Sequence, residues 1–178
     1  MKEVEVKIIG IDREKVEAKL KSLEATKTLD DNVETSFFDF PDCSVSRAKN
    51  LLRLRKVGDK AALTFKKFVE SDSAKVRVEY EVFVSDFETA NSILQSLGLI
   101  ITLRMEKHRT SYALKNGVAV DIDKYTGQYS HIPTLLEIEG ADSSTIHAQA
   151  KLLGFEPEQC KSWTTLELID YYSSKELK

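Results

Sequence analysis

Residues 3–7 read Glu3-Val4-Glu5-Val6-Lys7, three charges at every second position with valines between them. Side chains two apart on a strand share a face, so this stretch is a strand with one charged and one apolar side. In the plain reading the charged side faces water and the valines face a core. In the sharper one the charged side points inward, at a ligand, and the valines form an outer wall under helices.

The rest of the chain repeats the alternation. Arg53 and Arg55 share a face in LLRLRKV (51–57), and Lys66 lies opposite to Leu63 and Phe65 in AALTFKKF (61–68). Lys75, Arg77, Glu79 and Glu81 form one row in KVRVEYEVFV (75–84), and Lys107 and Arg109 another in MEKHRTSYAL (105–114). Asp121 pairs with Asp123 in 118–123, and Glu137 with Glu139 in LLEIE (135–139). With a short aromatic segment at Phe37 to Phe40, that makes about eight strands. Gly58-Asp59 and Asn116-Gly117 are hairpin turns and Ser71-Asp72-Ser73 is another turn, so the strands are expected to be mostly antiparallel.

Helices fill the gaps. Asp12 is placed to cap a helix with the stripe Val16, Leu20, Leu23. Ser85-Asp86-Phe87-Glu88 reads as a capping box before Phe87, Ala90, Leu94 and Leu97, and Gly98 stops that helix. Ser143 or Ser144 opens a third, with Ile146, Ala150 and Leu153, and a last helix is expected over Trp163 to Tyr172. Glu3-Val-Glu5, Glu79-Tyr-Glu81 and Glu137-Ile-Glu139 each precede a helix, a pattern that suggests an internal repeat.

The helical stripes need apolar strand faces to dock on. The charged rows are dense, doubled and of both signs, where a strand in plain solvent mixes Thr, Ser, Gln and Lys. Both facts favour the inward reading. The expected fold is α+β: a closed antiparallel β-barrel, or tunnel, of about eight strands with flanking helices, as a single domain over residues 1–178. A lumen of unpaired charge is costly to dehydrate, so it holds water, ions or a charged ligand. Arg and Lys rows suit an anion with several oxygens, and paired carboxylates suit hard divalent cations. Together they describe a metal-chelated polyphosphate.

Bulk properties agree. The chain has 178 residues, 42% hydrophobic and 31% charged, with a net charge of -3, which gives no reason to expect nucleic acid as a partner. No signal region follows Met1 and no apolar run reaches about 18 residues, so the expectation is a cytoplasmic protein with no membrane partner. Cys43 and Cys160 are expected as free thiols, and scattered His108, His131 and His147 give no zinc spacing. Phe37, Phe65, Tyr80, Tyr112 and Trp163 are expected to pack rather than stack on a ligand, and His108, between Lys107 and Arg109, is expected to face outward.

Glu-x-Glu-x-Lys near the start, followed in order by LRLR, TFK, RVEYE, EKHR, DID and LEIEG, resembles the CYTH family, the triphosphate tunnel metalloenzymes. The family includes class IV adenylyl cyclases, thiamine triphosphatases and inorganic triphosphatases. QYSHIPTLLEIEG is similar to the cyclase-type branch. The resemblance implies Mg2+ or Mn2+ as cofactor. It implies Glu3, Glu5, Glu137 and Glu139 as metal ligands, with Glu79, Glu81 and Asp121 as further carboxylates. Arg53, Arg55, Lys66, Arg77, Lys107 and Arg109 become the triphosphate clamp, and Glu3, Glu5, Lys7, Asp123 and Glu137 the catalytic set. The stretch Cys43 to Asn50 departs from the pattern.

The implied reaction is that of a class IV adenylyl cyclase: the ribose 3′-hydroxyl of ATP attacks the alpha phosphorus and pyrophosphate leaves. The alternatives are a triphosphatase acting on inorganic, thiamine or nucleoside triphosphate through a water nucleophile, and a non-catalytic polyphosphate binder. Water and a ribose hydroxyl are both oxygen nucleophiles, so the same residues serve either reaction.

Overall fold

A computed structural model describes residues 4–69 and 76–176, without the side chains of 76, 77, 175 and 176. Glu3 and Lys75 lie outside the described residues. The chain is α+β, with eight strands in one sheet in the order β1-β8-β7-β6-β2-β3-β4-β5. The strands are β1 (Val4–Ile9), β2 (Thr26–Asp39), β3 (Leu51–Val57), β4 (Lys60–Val69), β5 (Val76–Val84), β6 (Ile100–Ala113), β7 (Ala119–Tyr125) and β8 (Leu135–Gly140). The β1–β8, β8–β7, β7–β6, β2–β3, β3–β4 and β4–β5 pairs are all antiparallel. The order begins at β1 and ends at β5, and no ladder among the described residues joins those two strands. The helices are α1 (Arg13–Ser22), α2 (Ser44–Arg47), α3 (Phe87–Ser96), α4 (Ser143–Leu152) and α5 (Thr165–Glu176). Among the described residues no helix is long and apolar enough to cross a membrane.

The chain divides into two compact units, Met1–Asp31 with Lys107–Lys178, and Asn32–Glu106. In the first, the even positions of the strands make the core. Val6 and Ile8 of β1, Val120 and Ile122 of β7, and Leu136 and Ile138 of β8 pack against Val16 and Leu20 of α1 and Ile146 and Ala150 of α4. The odd positions of the same strands carry Glu5, Lys7, Asp121, Asp123, Glu137 and Glu139. The valines of the opening stretch therefore lie on the helix-covered side and its charges on the other.

In the second unit Phe38, Leu54 and Ala61 pack with Phe87 and Leu94 of α3, and Leu52, Leu63, Val84 and Ile101 border them. Arg53 and Arg55 alternate with Leu52 and Leu54, so they occupy the face away from α3.

Several expected boundaries shift. The strand expected at Phe37 to Phe40 is the end of the 14-residue β2, and Phe40 lies outside it, exposed. Asp86, in extended conformation, caps α3 by accepting from the Thr89 N–H at 2.7 Å, so the cap falls one residue after Ser85. Asp142, not a serine, caps α4, accepting from the Thr145 N–H at 2.8 Å. The last helix starts at Thr165. Tyr80 is not core: it is 58% exposed beside exposed Val78 and Val82, on the outer side of β5. The expectation that helices cover every apolar strand face fails there.

Candidate active site

In the first unit, strand register assembles the charges. Lys7 of β1, Glu137 of β8, Asp121 of β7 and Ser111 of β6 fall on one rung across four strands. Glu5 stands opposite Glu139 on the next rung. Arg109 stands opposite Asp123 on the other side.

These groups are knit by ion pairs. The Lys7 ammonium, fully buried, lies 2.8 Å from Glu5 and 3.2 Å from Glu137. Burial works against its charge, but Glu137 and Glu5 outweigh that and raise its pKa. Arg109 reaches Asp121 at 2.5 Å, Asp123 at 2.6 Å and Glu137 at 2.5 Å. Lys107 donates to Asp123 at 2.5 Å, with the two side chains 3% and 0% exposed. Burial holds the Lys107 pKa down despite Glu137 and Asp123. Partial burial likewise works against the charge of Glu137, yet Lys107, Arg109 and Lys7 hold it well below the usual carboxylate range. Burial pushes Asp121 up, against the pull of Arg109. The result is a cluster, buried at Lys7, Lys107 and Asp123 and open to solvent at Glu5, in which each cation is balanced by carboxylates.

The second unit has its own charged face. Thr64 lies opposite Arg53 and Glu81, and Lys66 opposite Leu51 and Glu79. Lys66 pairs with Glu79 at 2.8 Å, and Arg53 approaches the same carboxylate at 3.7 Å. Burial raises the Glu79 pKa, but Lys66, Arg53 and Arg55 lower it on balance. Thr64 donates its hydroxyl to Glu81 at 2.8 Å. Arg55 lies opposite Ala62 on the same face, and Arg77 occupies the β5 position opposite Phe68.

The stretch Cys43 to Asn50 carries the short helix α2. Asp39, buried at the end of β2, accepts the N–H groups of Phe40, Val45 and Ser46, which shapes the turn around α2. His108 points away from Lys107 and Arg109, as expected, and its Nε2 lies 2.9 Å from Asp30. Cys43 and Cys160 are free thiols.

Residues that sequence reasoning passed over now join the faces: Thr64 beside Glu81, and Tyr125, fully buried, whose ring centroid lies 5.6 Å from the Lys107 ammonium. Register is the signal for both, since each occupies a position opposite a recognised site residue.

Among the described residues, no three His, Cys, Asp or Glu side chains already converge as a metal cluster. The donors nonetheless suit a hard cation. Glu5 and Glu139 stand opposite each other, and Glu5 is exposed. Mg2+ commonly takes one or two carboxylates and fills its remaining positions with water and phosphate oxygens. Asp121, Asp123 and Glu137 are each paired with cations, and Glu5 is paired with Lys7.

A CYTH domain family model matches residues 1–155. No curated protein matches significantly. Among solved structures, a conserved hypothetical protein from Pyrococcus furiosus is 27% identical with a TM-score of 0.74, over 94% of this chain and 99% of that one. A Vibrio parahaemolyticus protein named as a candidate adenylate cyclase shares the fold at 16% identity and a TM-score of 0.75, over 94% and 97% of the two chains. A candidate adenylyl cyclase from Hippeastrum, described as having a dominant triphosphatase activity, shares it at 16% identity and a TM-score of 0.64, over 97% and 96%.

Proposed function

Because the chain belongs to the CYTH domain family, we propose that it is a divalent-metal-dependent enzyme that acts on a triphosphate, with the sheet closed into the family's tunnel and the whole chain serving as one domain. The observation that supports this most directly is the mutual pairing of Lys7, Lys107 and Arg109 with Glu137, Asp121 and Asp123. Opposite charges gathered on one face can exchange their ion pairs for those of a bound metal–polyphosphate, which carries both signs itself.

In this reading Arg53, Arg55, Lys66 and Arg77 bind phosphate oxygens, and Glu79 releases Lys66 when they do. Lys107 and Arg109 bind further phosphate oxygens, held in place by Asp123. Glu3, Glu5 and Glu139 hold Mg2+ or Mn2+, with Glu137 as the carboxylate shared with Lys7. The bound metal supplies charge neutralisation and orientation of the phosphates. The protein's own contribution is positioning and preorganised charge, the main sources of rate in phosphoryl transfer.

The first reaction to test is that of a class IV adenylyl cyclase: the ribose 3′-hydroxyl of ATP bonds to the alpha phosphorus, pyrophosphate leaves, and cyclic AMP forms. The second is triphosphate hydrolysis, in which water bonds to a terminal phosphorus, the bond from that phosphorus to its bridging oxygen breaks, the diphosphate end leaves, and the attacked phosphorus becomes orthophosphate. The dense charge of both faces favours keeping this second reading, since hydrolysis of inorganic triphosphate needs no pocket for an organic group. A cytoplasmic setting fits the two free thiols.

The deciding experiment offers ATP, thiamine triphosphate and inorganic triphosphate with Mg2+ or Mn2+ and identifies the products. Cyclic AMP with pyrophosphate assigns the cyclase. Orthophosphate from inorganic or thiamine triphosphate assigns the hydrolase. Binding of all three without turnover assigns a polyphosphate-binding module and overturns the enzyme reading.

A further inference from the structure

The charged face of the second unit ends in an aromatic ring. Phe68 follows Lys66 by two positions in β4, so the two share a face. The β3 ladder stops at Leu51, opposite Lys66, and the Asn50 side chain extends it by one bond: its Oδ1 accepts the Phe68 N–H at 2.9 Å. Lys49, in the left-handed conformation with φ 58°, places its ammonium 4.9 Å from the Phe68 ring centroid.

Phe68 is partly buried, and it is on the wrong side of β4 for the core. The residues of β4 that pack under α3 are Ala61 and Leu63, on the opposite face. Phe68 instead lies one strand step beyond Lys66. That step is roughly 7 Å, comparable to the ribose that separates a phosphate from its base.

We propose that Phe68, with Lys49 at its ring, is the stacking platform for the nucleobase of a nucleoside triphosphate whose phosphates lie on Arg53 and Lys66. The proposal rests on the triphosphate reading and narrows its substrate to one bearing a neutral flat ring. Every nucleobase has a π-face that stacks on an aromatic side chain. A thiazolium ring is cationic, and the Lys49 ammonium repels it.

The test is calorimetric binding, with Mg2+, of inorganic triphosphate and of an ATP analogue with methylene bridges between its phosphates. It is run on the intact chain and on Phe68→Leu and Phe68→Trp. Loss of one stacked base is expected to weaken the ATP analogue about tenfold in Phe68→Leu, to leave inorganic triphosphate unchanged, and to be restored in Phe68→Trp. Equal weakening of both ligands, or of neither, overturns the platform while leaving the triphosphate reading intact. A wild-type chain that binds neither ligand overturns both.

Discussion

Arg109 holds Asp123 with two prongs, Nε to Oδ1 at 2.7 Å and a terminal nitrogen to Oδ2 at 2.6 Å, and the same Oδ2 takes the Lys107 ammonium at 2.5 Å. One fully buried carboxylate therefore orients two cations of the proposed phosphate clamp. The arrangement is costly to desolvate and costly to break, because removing the carboxylate strands two buried positive charges.

Asp123→Asn is expected to destabilise the chain by about 3 kcal/mol, read by urea denaturation, and to lower turnover of every triphosphate. Stability equal to that of the wild type would mean that Lys107 and Arg109 find other partners, and would remove Asp123 from its positioning role.

Arg53 and Lys66 are partly exposed, at 15% and 26%, so the fold depends on them less. Arg53→Ala or Lys66→Ala is expected to raise KM for inorganic triphosphate roughly tenfold, the loss of one charge-assisted contact. The melting temperature should change little. An unchanged KM in both variants counts against the second unit's face as part of the clamp.

Glu5 and Glu139 oppose each other on one rung, and neither belongs to the hydrophobic core. Glu5→Gln and Glu139→Gln are each expected to raise the Mg2+ concentration needed for half-maximal turnover. A chelator is expected to stop turnover reversibly while circular dichroism stays the same. Unfolding on chelation would make the metal structural, and a metal requirement unchanged in both variants would rule out this pair as ligands.

Asp142 caps α4, and its hydrogen bonds with Ser144 and Thr145 hold its pKa at about 2, below the ordinary 3.8. A depressed carboxyl pKa adds stability that is present above 3.8 and lost as the pH falls through about 2. Asp142→Ala is expected to melt at a lower temperature than the wild type at neutral pH, with the gap closing across that window. A gap that stays constant with pH would mean that the cap acts without its charge.

The strands with strict alternation were legible from sequence. In β1, Val4 to Ile9 declares both its faces, and the structure puts Val6 and Ile8 in the core and Lys7 among the carboxylates. The first half of β2 was not legible. Thr28-Leu29-Asp30-Asp31-Asn32 has little strand propensity. Asp30 instead takes tertiary partners on β6, accepting from Thr110 at 3.0 Å and meeting His108, and also accepts locally from Lys27 at 2.7 Å. The cross-strand cluster was legible as residue types but not as pairs, because register sets which carboxylate meets which cation. Helix caps were read one or two residues off where capping residues adjoin: Ser85 for Asp86, and Ser143 or Ser144 for Asp142. The last helix opens where Thr164 and Glu167 exchange bonds, the Thr164 N–H to Glu167 and the Glu167 N–H to the Thr164 hydroxyl.

Lys7 exchanges both of its backbone hydrogen bonds with Lys161, each at 2.8 Å. Lys161 lies six residues beyond the stretch that the CYTH family model matches. The strand that carries Glu5 and Lys7 is thus buttressed by a part of the chain outside the family's common core. A version of this chain cut back to residue 155 would keep every residue of the proposed site and leave the Lys7 amide and carbonyl without these partners. Tolerance to truncation and the presence of the site residues are therefore separate properties here, and the tail past residue 155 works as scaffolding for the charged face.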